Sequence, residues 1–381
     1  LCGSCSPGAL NRARELLHRG RPCELDEWSR LAAPIRRAER PVGFIGPYEH
    51  HSHELPWQEW IADVVVIHED ADGHVDLAAL GRALAEYQGR PLKIGSFSAA
   101  SNVTGIITDW RAIAALLHQH GALSFWDFAA AAPYVSIDMA GTGLDAIFVS
   151  PHKFIGGPGT PGLLVARKDL FRNRVPSVPG GGTVAYVNPD EHVYLADIEH
   201  REEGGPPAIV ESIRAGLVFQ LKEAVGAEKI RAREESFIRR AIQRWRRHPN
   251  LEILGNPDLD RLSIVSFVVR REGRYLHHNY VVALLNDLFG IQARGGCSCA
   301  GPYGHRLLGI DLERSHEFER EIARGCEGIK PGWVRVNFNY FISEPTFDFI
   351  LEAVELAAEE GWRRLPDYDF GPATGLSRHR P

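Results

Sequence analysis

The sequence has no long hydrophobic run. None of its windows approaches the about 20 apolar residues that a membrane-spanning helix needs. Its first residues do not form a leader of charged, then apolar, then small residues. We therefore expect a cytoplasmic protein that does not enter a membrane.

A strong excess of charge of one sign is also absent. The 43 lysines and arginines nearly balance the 49 aspartates and glutamates, which leaves a net charge of −6. A basic run between Arg239 and Arg247 is expected to form one solvated face of a helix. Neither feature favours a nucleic-acid partner.

Cysteine is too sparse for a small domain held together by disulfides. The chain has 6 cysteines, at positions 2, 5, 23, 297, 299 and 326, and Cys297 and Cys299 are too close for an ordinary bridge. A zinc site would need two further ligands at a matching spacing, and the sequence offers none. No metal site is predicted.

The chain does have enough apolar sequence for a large core. It is 44% hydrophobic and 24% charged, and its 381 residues favour two domains. We expect a large domain over residues 1–226, a smaller domain over 227–365 and a loose tail over 366–381. Since the chain opens at Leu1, inside what reads as a loop, we also expect that its true N-terminus is missing.

One stretch carries the strongest chemical signal. An apolar strand over residues 145–149 leads into Ser150, His152 and Lys153, and glycines follow at positions 156, 157 and 159. A lysine at the end of a buried strand is expected to be partly desolvated, which makes its amine a better nucleophile. Ser150 and His152 suit a neighbouring anionic group, and the glycines permit close approach of a ligand. The alternative is a surface lysine before an ordinary turn.

A second predicted strand ends in a lone carboxylate, Asp127, upstream of Lys153. Pyridoxal 5′-phosphate (PLP) uses such a pair, because a lysine holds its aldehyde and an aspartate keeps its pyridine nitrogen protonated. At these residues the chain resembles the class V aminotransferase and cysteine desulfurase family of fold-type I PLP-dependent enzymes. The resemblance extends from Cys2 to about Trp362.

The resemblance implies an α/β fold. A large domain would hold a mostly parallel sheet of a seven-stranded type, a smaller α/β domain would follow, and two copies would form a homodimer with a shared active site. Alternating strand and helix patterns agree with crossover connections. Strands are predicted over 42–46, 63–67, 92–97 and 162–166, the last as an antiparallel return, and helices over 76–87, 109–120, 208–225, 236–248, 279–289 and 346–362.

The resemblance also assigns cofactor contacts. Asn102 would bind near the phenolic oxygen of PLP and the substrate carboxylate, and His50 would lie flat against the ring. Ser6 and Gly8, in a turn that opens a helix, would seat the phosphate. Without the other motifs, a plain histidine-rich loop would be the simpler interpretation of His50. The chain departs from the family at three positions, where Pro7 replaces a threonine, Ala130 a glutamine and Pro206 another threonine.

A glycine-rich loop carries the candidate nucleophile. The segment from Arg294 to Pro302 resembles the loop that bears the nucleophilic cysteine in one branch of cysteine desulfurases, and Cys299 falls on that cysteine. Arg294 would favour the thiolate and help bind substrate. Arg335, in a later alternating strand, would clamp the substrate carboxylate. A buried structural cysteine is the alternative for Cys299.

The sequence thus predicts a PLP-dependent enzyme that removes sulfur from cysteine, with Lys153, Cys299 and His50 as catalytic residues. Alanine and an enzyme persulfide would be the products, and a sulfur-acceptor protein would be a partner. Two alternatives stay open. An aminotransferase or other lyase would use the same cofactor without the thiol. A catalytically weak cofactor- or partner-binding protein would agree with the replacements at Pro7 and Pro206.

Overall fold

A computed structural model of the chain describes residues 37–380. Its first sheet is built from β1 (Val42–Ile45), β2 (Asp63–Val66), β3 (Lys93–Ser98), β4 (Leu123–Asp127), β5 (Ala146–Val149) and β6 (Leu163–Ala166). The order across the sheet is β2-β1-β3-β4-β5-β6. Strands β1 to β5 are parallel and β6 is antiparallel to β5. This confirms a mostly parallel sheet with an antiparallel return, although the described residues give six strands rather than seven.

Helices connect and cover these strands. They are α1 (His51–Gln58), α2 (Leu77–Glu86), α3 (Trp110–Gln119), α4 (Met139–Thr142), α5 (Ile198–Arg201) and α6 (Ile209–Val225). Both α2 and α3 begin at an aspartate cap, since the side chains of Asp76 and Asp109 accept from the amides of Ala79 and Ala112. A separate hairpin is formed by β7 (Val184–Val187) and β8 (His192–Tyr194).

The second half of the described chain forms an antiparallel sheet. Its strands are β9 (Leu251–Ile253), β10 (Ile264–Arg271), β11 (Arg274–Tyr275), β12 (Arg294–Gly296) and β13 (Trp333–Asn337). Its helices are α7 (Ala227–Trp245), α8 (His278–Phe289), α9 (Gly301–Leu307), α10 (Leu312–Ala323) and α11 (Glu344–Glu360). Gly226 separates α6 from α7, and the proposed domain boundary at this glycine stays a prediction.

Among residues 37–380, the two largest of four clusters of buried apolar side chains lie against the two main sheets. One lies around the first sheet and includes Phe97 and Trp126. The other lies between the second sheet and the helices α7 and α11, where the rings of Phe237 and Phe347 stack 4.5 Å apart. Short 3-10 turns complete the chain at Arg37–Glu39, Pro151–Lys153, Lys168–Leu170, Glu327–Ile329 and Gly361–Asp367.

The C-terminal segment differs from its prediction as a loose tail. Residues 368–379 form a hairpin of β14 (Tyr368–Gly371) and β15 (Leu376–His379). The Tyr368 hydroxyl donates to Asp287 at 3.1 Å, and the Asn279 side chain donates to the Gly375 carbonyl at 2.7 Å. Both contacts anchor the hairpin on α8. The strands were not predicted because each is only four residues long and the segment is rich in proline, glycine and arginine, which are typical of loops.

The basic run on α7 is paired with carboxylates. Arg240 binds Glu344 at 2.7 Å, and Arg244 binds Glu355 at 2.5 Å. The side chains are partly exposed, so each pair contributes little stability. Within residues 37–380, no helix is both long and apolar enough to cross a membrane.

Candidate active site

The candidate site lies at the edge where the parallel strands end. Since β1, β3, β4 and β5 run in the same direction, the residues after their carboxyl ends meet at one edge of the sheet. Those residues include His50, Asn102, Asp127 and Lys153. The structure therefore brings together four residues that were chosen from separate parts of the sequence.

Lys153 ends the short 3-10 turn Pro151–Lys153, and the chain after it reverses in a way that requires glycine at position 157. Its amide donates to the Ser150 carbonyl at 3.0 Å, and the chain then turns back so closely that a Cβ on Gly157 would lie 2.0 Å from the Pro151 carbonyl. Ser150 is buried, whereas the Lys153 side chain is exposed in the single chain. The partial desolvation expected for Lys153 stays a prediction. Burial, and then the charge of Lys153, lowers the pKa of His152.

Asp127 is held rigidly at the end of β4. Its side chain is 4% exposed, and its Oδ1 accepts from the Ala129 amide at 2.7 Å. The neighbouring strand is fixed to it through the Ala99 amide, which donates to the Asp127 carbonyl at 2.9 Å. A buried carboxylate with a fixed direction suits a cationic ring nitrogen.

His50 caps the first turn of α1 and faces the charged residues. The Ser52 amide donates to His50 Nδ1 at 3.1 Å, so the proton of the neutral ring lies on Nε2. Burial, and then the charge of Lys153, lowers the pKa of His50 to about 4, against the opposing effect of Asp127. The imidazole is therefore neutral at pH 7.

Glu49, the buried residue directly before His50, has no role assigned from the sequence. Its Oε1 accepts from the amides of Gly46 and Ser98 at 3.1 and 2.9 Å, and its Oε2 accepts from the Ser98 hydroxyl at 2.6 Å. These bonds join the end of β1 to the end of β3. In the sequence, the only sign of a role for Glu49 is its place directly before His50. A glutamate in a histidine-rich surface loop would show the same pattern.

Cys299 lies on the loop after β12. The Arg294 guanidinium donates to Cys299 Sγ at 3.9 Å, so a positive charge lies beside the sulfur. Cys299 is partly buried, whereas Cys297 is exposed, and both are free thiols. A partly accessible sulfur beside an arginine suits a nucleophile better than a structural core cysteine.

Arg335 and Asn102 form a polar cluster next to this loop. Arg335 Nη1 donates to the Asn102 carbonyl at 2.7 Å, and Asn102 Nδ2 donates to the Ser298 carbonyl at 2.7 Å. Strand pairing places Arg294 opposite Arg335. Burial, and then the charge of Arg294, lowers the pKa of Arg335 to about 10. Two adjacent guanidinium groups favour an anionic ligand.

Three buried polar atoms in this cluster have no partner among the described residues. They are Asn102 Oδ1, Arg335 Nε and Ser298 Oγ. An unpaired polar atom in a buried place is costly, and a polar ligand would satisfy these atoms. The cluster therefore has the character of a ligand site rather than of a packed core.

Several predicted site residues are not tested by this geometry. Ser6, Pro7 and Gly8 lie outside the described residues. Ala130 and Pro206 are departures from the family, and the loss of cofactor contacts expected at these two positions stays a prediction. Within residues 37–380, no group of three or more His, Cys, Asp or Glu side chains is arranged to hold a metal ion.

Comparisons with known proteins agree with this geometry. The chain is 28% identical over 279 residues to a probable cysteine desulfurase of Halalkalibacterium halodurans, across 71% of this chain and 66% of the relative. It is 30% identical over 264 residues to the probable cysteine desulfurase 2 of Mycobacterium leprae, across 68% of this chain and 60% of the relative. The chain thus spans less than two thirds of the length of these curated relatives.

Solved structures of cysteine desulfurases are also similar to this chain. The apo structure of a cysteine desulfurase from Thermococcus onnurineus NA1 superposes with a TM-score of 0.69 at 25% identity, over 84% of this chain and 74% of that one. The cysteine desulfurase CsdA of Escherichia coli shares the fold, with a TM-score of 0.70 at 22% identity over 85% and 73% of the two chains. The model of the aminotransferase class-V family matches residues 43–315. The chain belongs to the aminotransferase class-V family.

Proposed function

We propose that this chain carries the active site of a PLP-dependent enzyme that removes sulfur from cysteine. The proposal depends mainly on the position of the Cys299 thiol, which lies beside the Arg294 guanidinium. The loop that bears Cys299 is bonded through Ser298 to Asn102, which follows one of the parallel strands at the edge with the candidate cofactor residues. Relatives named cysteine desulfurase support this choice of reaction.

The described residues fit PLP. Lys153 offers the amine that would hold the cofactor, and the fixed carboxylate of Asp127 would bind its ring nitrogen. His50, neutral and fixed by Ser52, would cover one face of the ring. Ser150 and His152 would contact the phosphate, together with Ser6 and Gly8. When bound, PLP withdraws electron density from the α-carbon of an amino acid.

The other steps belong to the side chains of this chain. Arg335, with Arg294 and Asn102, would bind the substrate carboxylate, because guanidinium groups pair with carboxylates in two parallel hydrogen bonds. Lys153 Nζ would accept the proton from the α-carbon of the substrate. His50 would carry a proton on Nε2.

Cys299 would perform the sulfur transfer. Its thiolate attacks the substrate sulfur, and a new S–S bond forms as the C–S bond breaks. The carbon fragment gains a proton and leaves as alanine, while a persulfide stays on Cys299. A sulfur acceptor, which we propose to be a protein with a thiol, would then remove the outer sulfur. A free nucleophilic thiol suits a reducing compartment, so we propose the cytoplasm.

A Cys299→Ser variant tests the reaction. The variant should keep its bound PLP spectrum and its spectral response to added cysteine, yet lose alanine release from cysteine by about 100-fold or more, because serine is a far weaker nucleophile toward sulfur. Alanine release under a thiol reductant is the measurement. Cys297→Ser, two residues away and exposed, is the matched control and should keep alanine release.

The alternatives are outcomes of the same experiment. If Cys299→Ser produces alanine as fast as the unaltered chain, the desulfurase mechanism is wrong, and an aminotransferase or another lyase takes its place. If the unaltered chain neither retains PLP nor releases alanine, a catalytically weak cofactor- or partner-binding protein takes its place.

A further inference from the structure

The loop with Cys299 contains an unfavourable turn. The Ala300 amide donates to the Cys297 carbonyl at 3.1 Å, which closes a four-residue turn. The two central residues, Ser298 and Cys299, have φ angles of 52° and 56°. Side chains other than glycine rarely adopt this left-handed region, and they stay there only where the surroundings fix them. The surroundings of this turn therefore determine where the Cys299 thiol points.

His51, the first residue of α1, forms two hydrogen bonds with this turn and the residue after it. Its backbone amide donates to the Cys299 carbonyl at 2.8 Å, and its Nε2 accepts from the Gly301 amide at 2.9 Å. A Cβ on Gly301 would lie 3.2 Å from this same Nε2, so a larger residue there would press on the ring. A single residue on α1 thus bonds to the chain on both sides of Ala300.

The two neighbouring histidines at the start of α1, the cap His50 and the first residue His51, have different surroundings. His50 interacts with the charges of Lys153 and Asp127, whereas the His51 ring is bonded to the cysteine loop. Burial lowers the pKa of His51, so its ring is neutral at pH 7 and Nε2 keeps the lone pair that accepts from Gly301. The side chain of His51 is therefore free of the cofactor-side role that we assign to His50.

We propose that His51 is a positioning residue for the Cys299 thiol. By accepting from the Gly301 amide, its Nε2 holds the turn in the left-handed conformation that places the sulfur beside Arg294. The inference rests on the proposed role of Cys299 as nucleophile. The bond from the His51 backbone amide to the Cys299 carbonyl does not use the side chain, so a variant other than proline isolates the contribution of Nε2.

The test measures the charge around each thiol. Iodoacetate is an anion and iodoacetamide is neutral, so the ratio of their alkylation rates reports the positive charge beside a cysteine. We expect a higher ratio at Cys299 than at the exposed Cys297, with both measured by peptide mass spectrometry on the same PLP-loaded protein. In His51→Leu, which has no acceptor, the ratio at Cys299 should fall to near that at Cys297. The kcat for alanine release should fall by about 10- to 100-fold, with a smaller change in KM.

A conservative variant separates positioning from packing. The amide oxygen of His51→Gln can take the place of Nε2, so this variant should restore most of the ratio and of kcat. Should His51→Leu not fold, His51→Asn, whose amide is too short to reach Gly301, gives the same comparison. An unchanged ratio at Cys299 in the Leu or Asn variant, or a Gln variant no better than Leu, would overturn the proposal. Failure of the unaltered chain to release alanine from cysteine would instead count against the proposed reaction, because the alkylation ratio does not depend on it.

Discussion

Two lysines lie close enough to the candidate site to compete for a carbonyl ligand. Lys153 and Lys222 both line a cavity of about 30 Å³ beside Tyr134. Burial lowers the pKa of Lys222 to about 8, which makes its amine reactive at mildly basic pH. The Lys222 amine, however, already donates to the carbonyls of Ala132 and Val135. Lys222 thus serves the fold, whereas Lys153 lies at the edge where the parallel strands end.

This comparison gives a prediction for covalent attachment. Borohydride treatment of the PLP-loaded protein should fix PLP to Lys153, because its amine lies at the same strand edge as Asp127, where the cofactor is proposed to bind. Peptide mass spectrometry is the measurement. The Lys153→Ala variant should carry no fixed PLP, whereas Lys222→Ala, the matched control, should still be modified at Lys153. Modification confined to Lys222 would refute the assignment.

Secondary-structure elements with caps and apolar stripes were predicted from the sequence within one or two residues. The helices predicted over 76–87 and 109–120 are α2 and α3, each of which has an aspartate cap and a buried apolar face. Two other helices each lack one of these signals, since α10 has an aspartate cap but no buried face and α7 has a buried face but no side-chain cap. Helix α10 has no buried residue, and α7 begins nine residues before the predicted Ser236, in a stretch where charged residues dominate.

The same limit applies to the site. Asp127 and Lys153 were identified because each lies in a polar cluster at or after the end of an apolar strand and because the pair resembles the residues that hold PLP. The His51 contact to Gly301 joins residues that are 250 positions apart, and nothing in local periodicity encodes it. The sequence also left open whether Lys153 is exposed, because burial depends on what covers the strand end.

A buried glutamate on α7 gives a pH-dependent prediction. Glu234 Oε1 accepts from the Tyr340 amide at 3.1 Å, while Oε2 is buried without a partner among the described residues. Burial raises the pKa of Glu234 to about 8. The folded state therefore binds a proton that the unfolded state releases above about pH 4.5, so the folding free energy weakens as the pH rises toward 8.

The Glu234→Gln variant removes this effect. Its amide keeps the bond from Tyr340 and has no charge, so at pH 9 it should exceed the unaltered chain in unfolding free energy by roughly 1 kcal/mol or more. The difference should shrink as the pH falls to about 5. Urea unfolding at both pH values is the measurement, and Glu235→Gln, in a partly exposed pair with Arg239, is the control with little expected change. Equal stability of Glu234→Gln and the unaltered chain at pH 9 would contradict the prediction.

At the scale of the whole molecule, one side of α6 is an unusual surface among residues 37–380. Large apolar side chains that are 43–64% exposed recur along it at Ile209, Val210, Ile213, Leu217 and Leu221. Monomeric proteins rarely expose such a row, and a second copy of this chain is the proposed cover. Helix α6 also contacts the turn after Lys153, since Arg214 donates to the Pro158 carbonyl at 2.8 Å. A subunit that covers α6 would therefore approach the exposed Lys153 as well.

A double substitution on this helix tests the proposed homodimer. Ile213→Glu combined with Leu217→Glu places two charges one helical turn apart on the exposed face, where they would repel the matching charges of a second copy and lose apolar burial. Light scattering after size-exclusion chromatography should show a dimer for the unaltered chain and a monomer for the variant. PLP retention on dialysis should fall in the variant, because the turn after Lys153 loses its cover. Leu312→Glu, at a leucine 71% exposed on α10, is the control that should stay dimeric. A dimer that survives the double substitution with full PLP retention would place the subunit interface elsewhere.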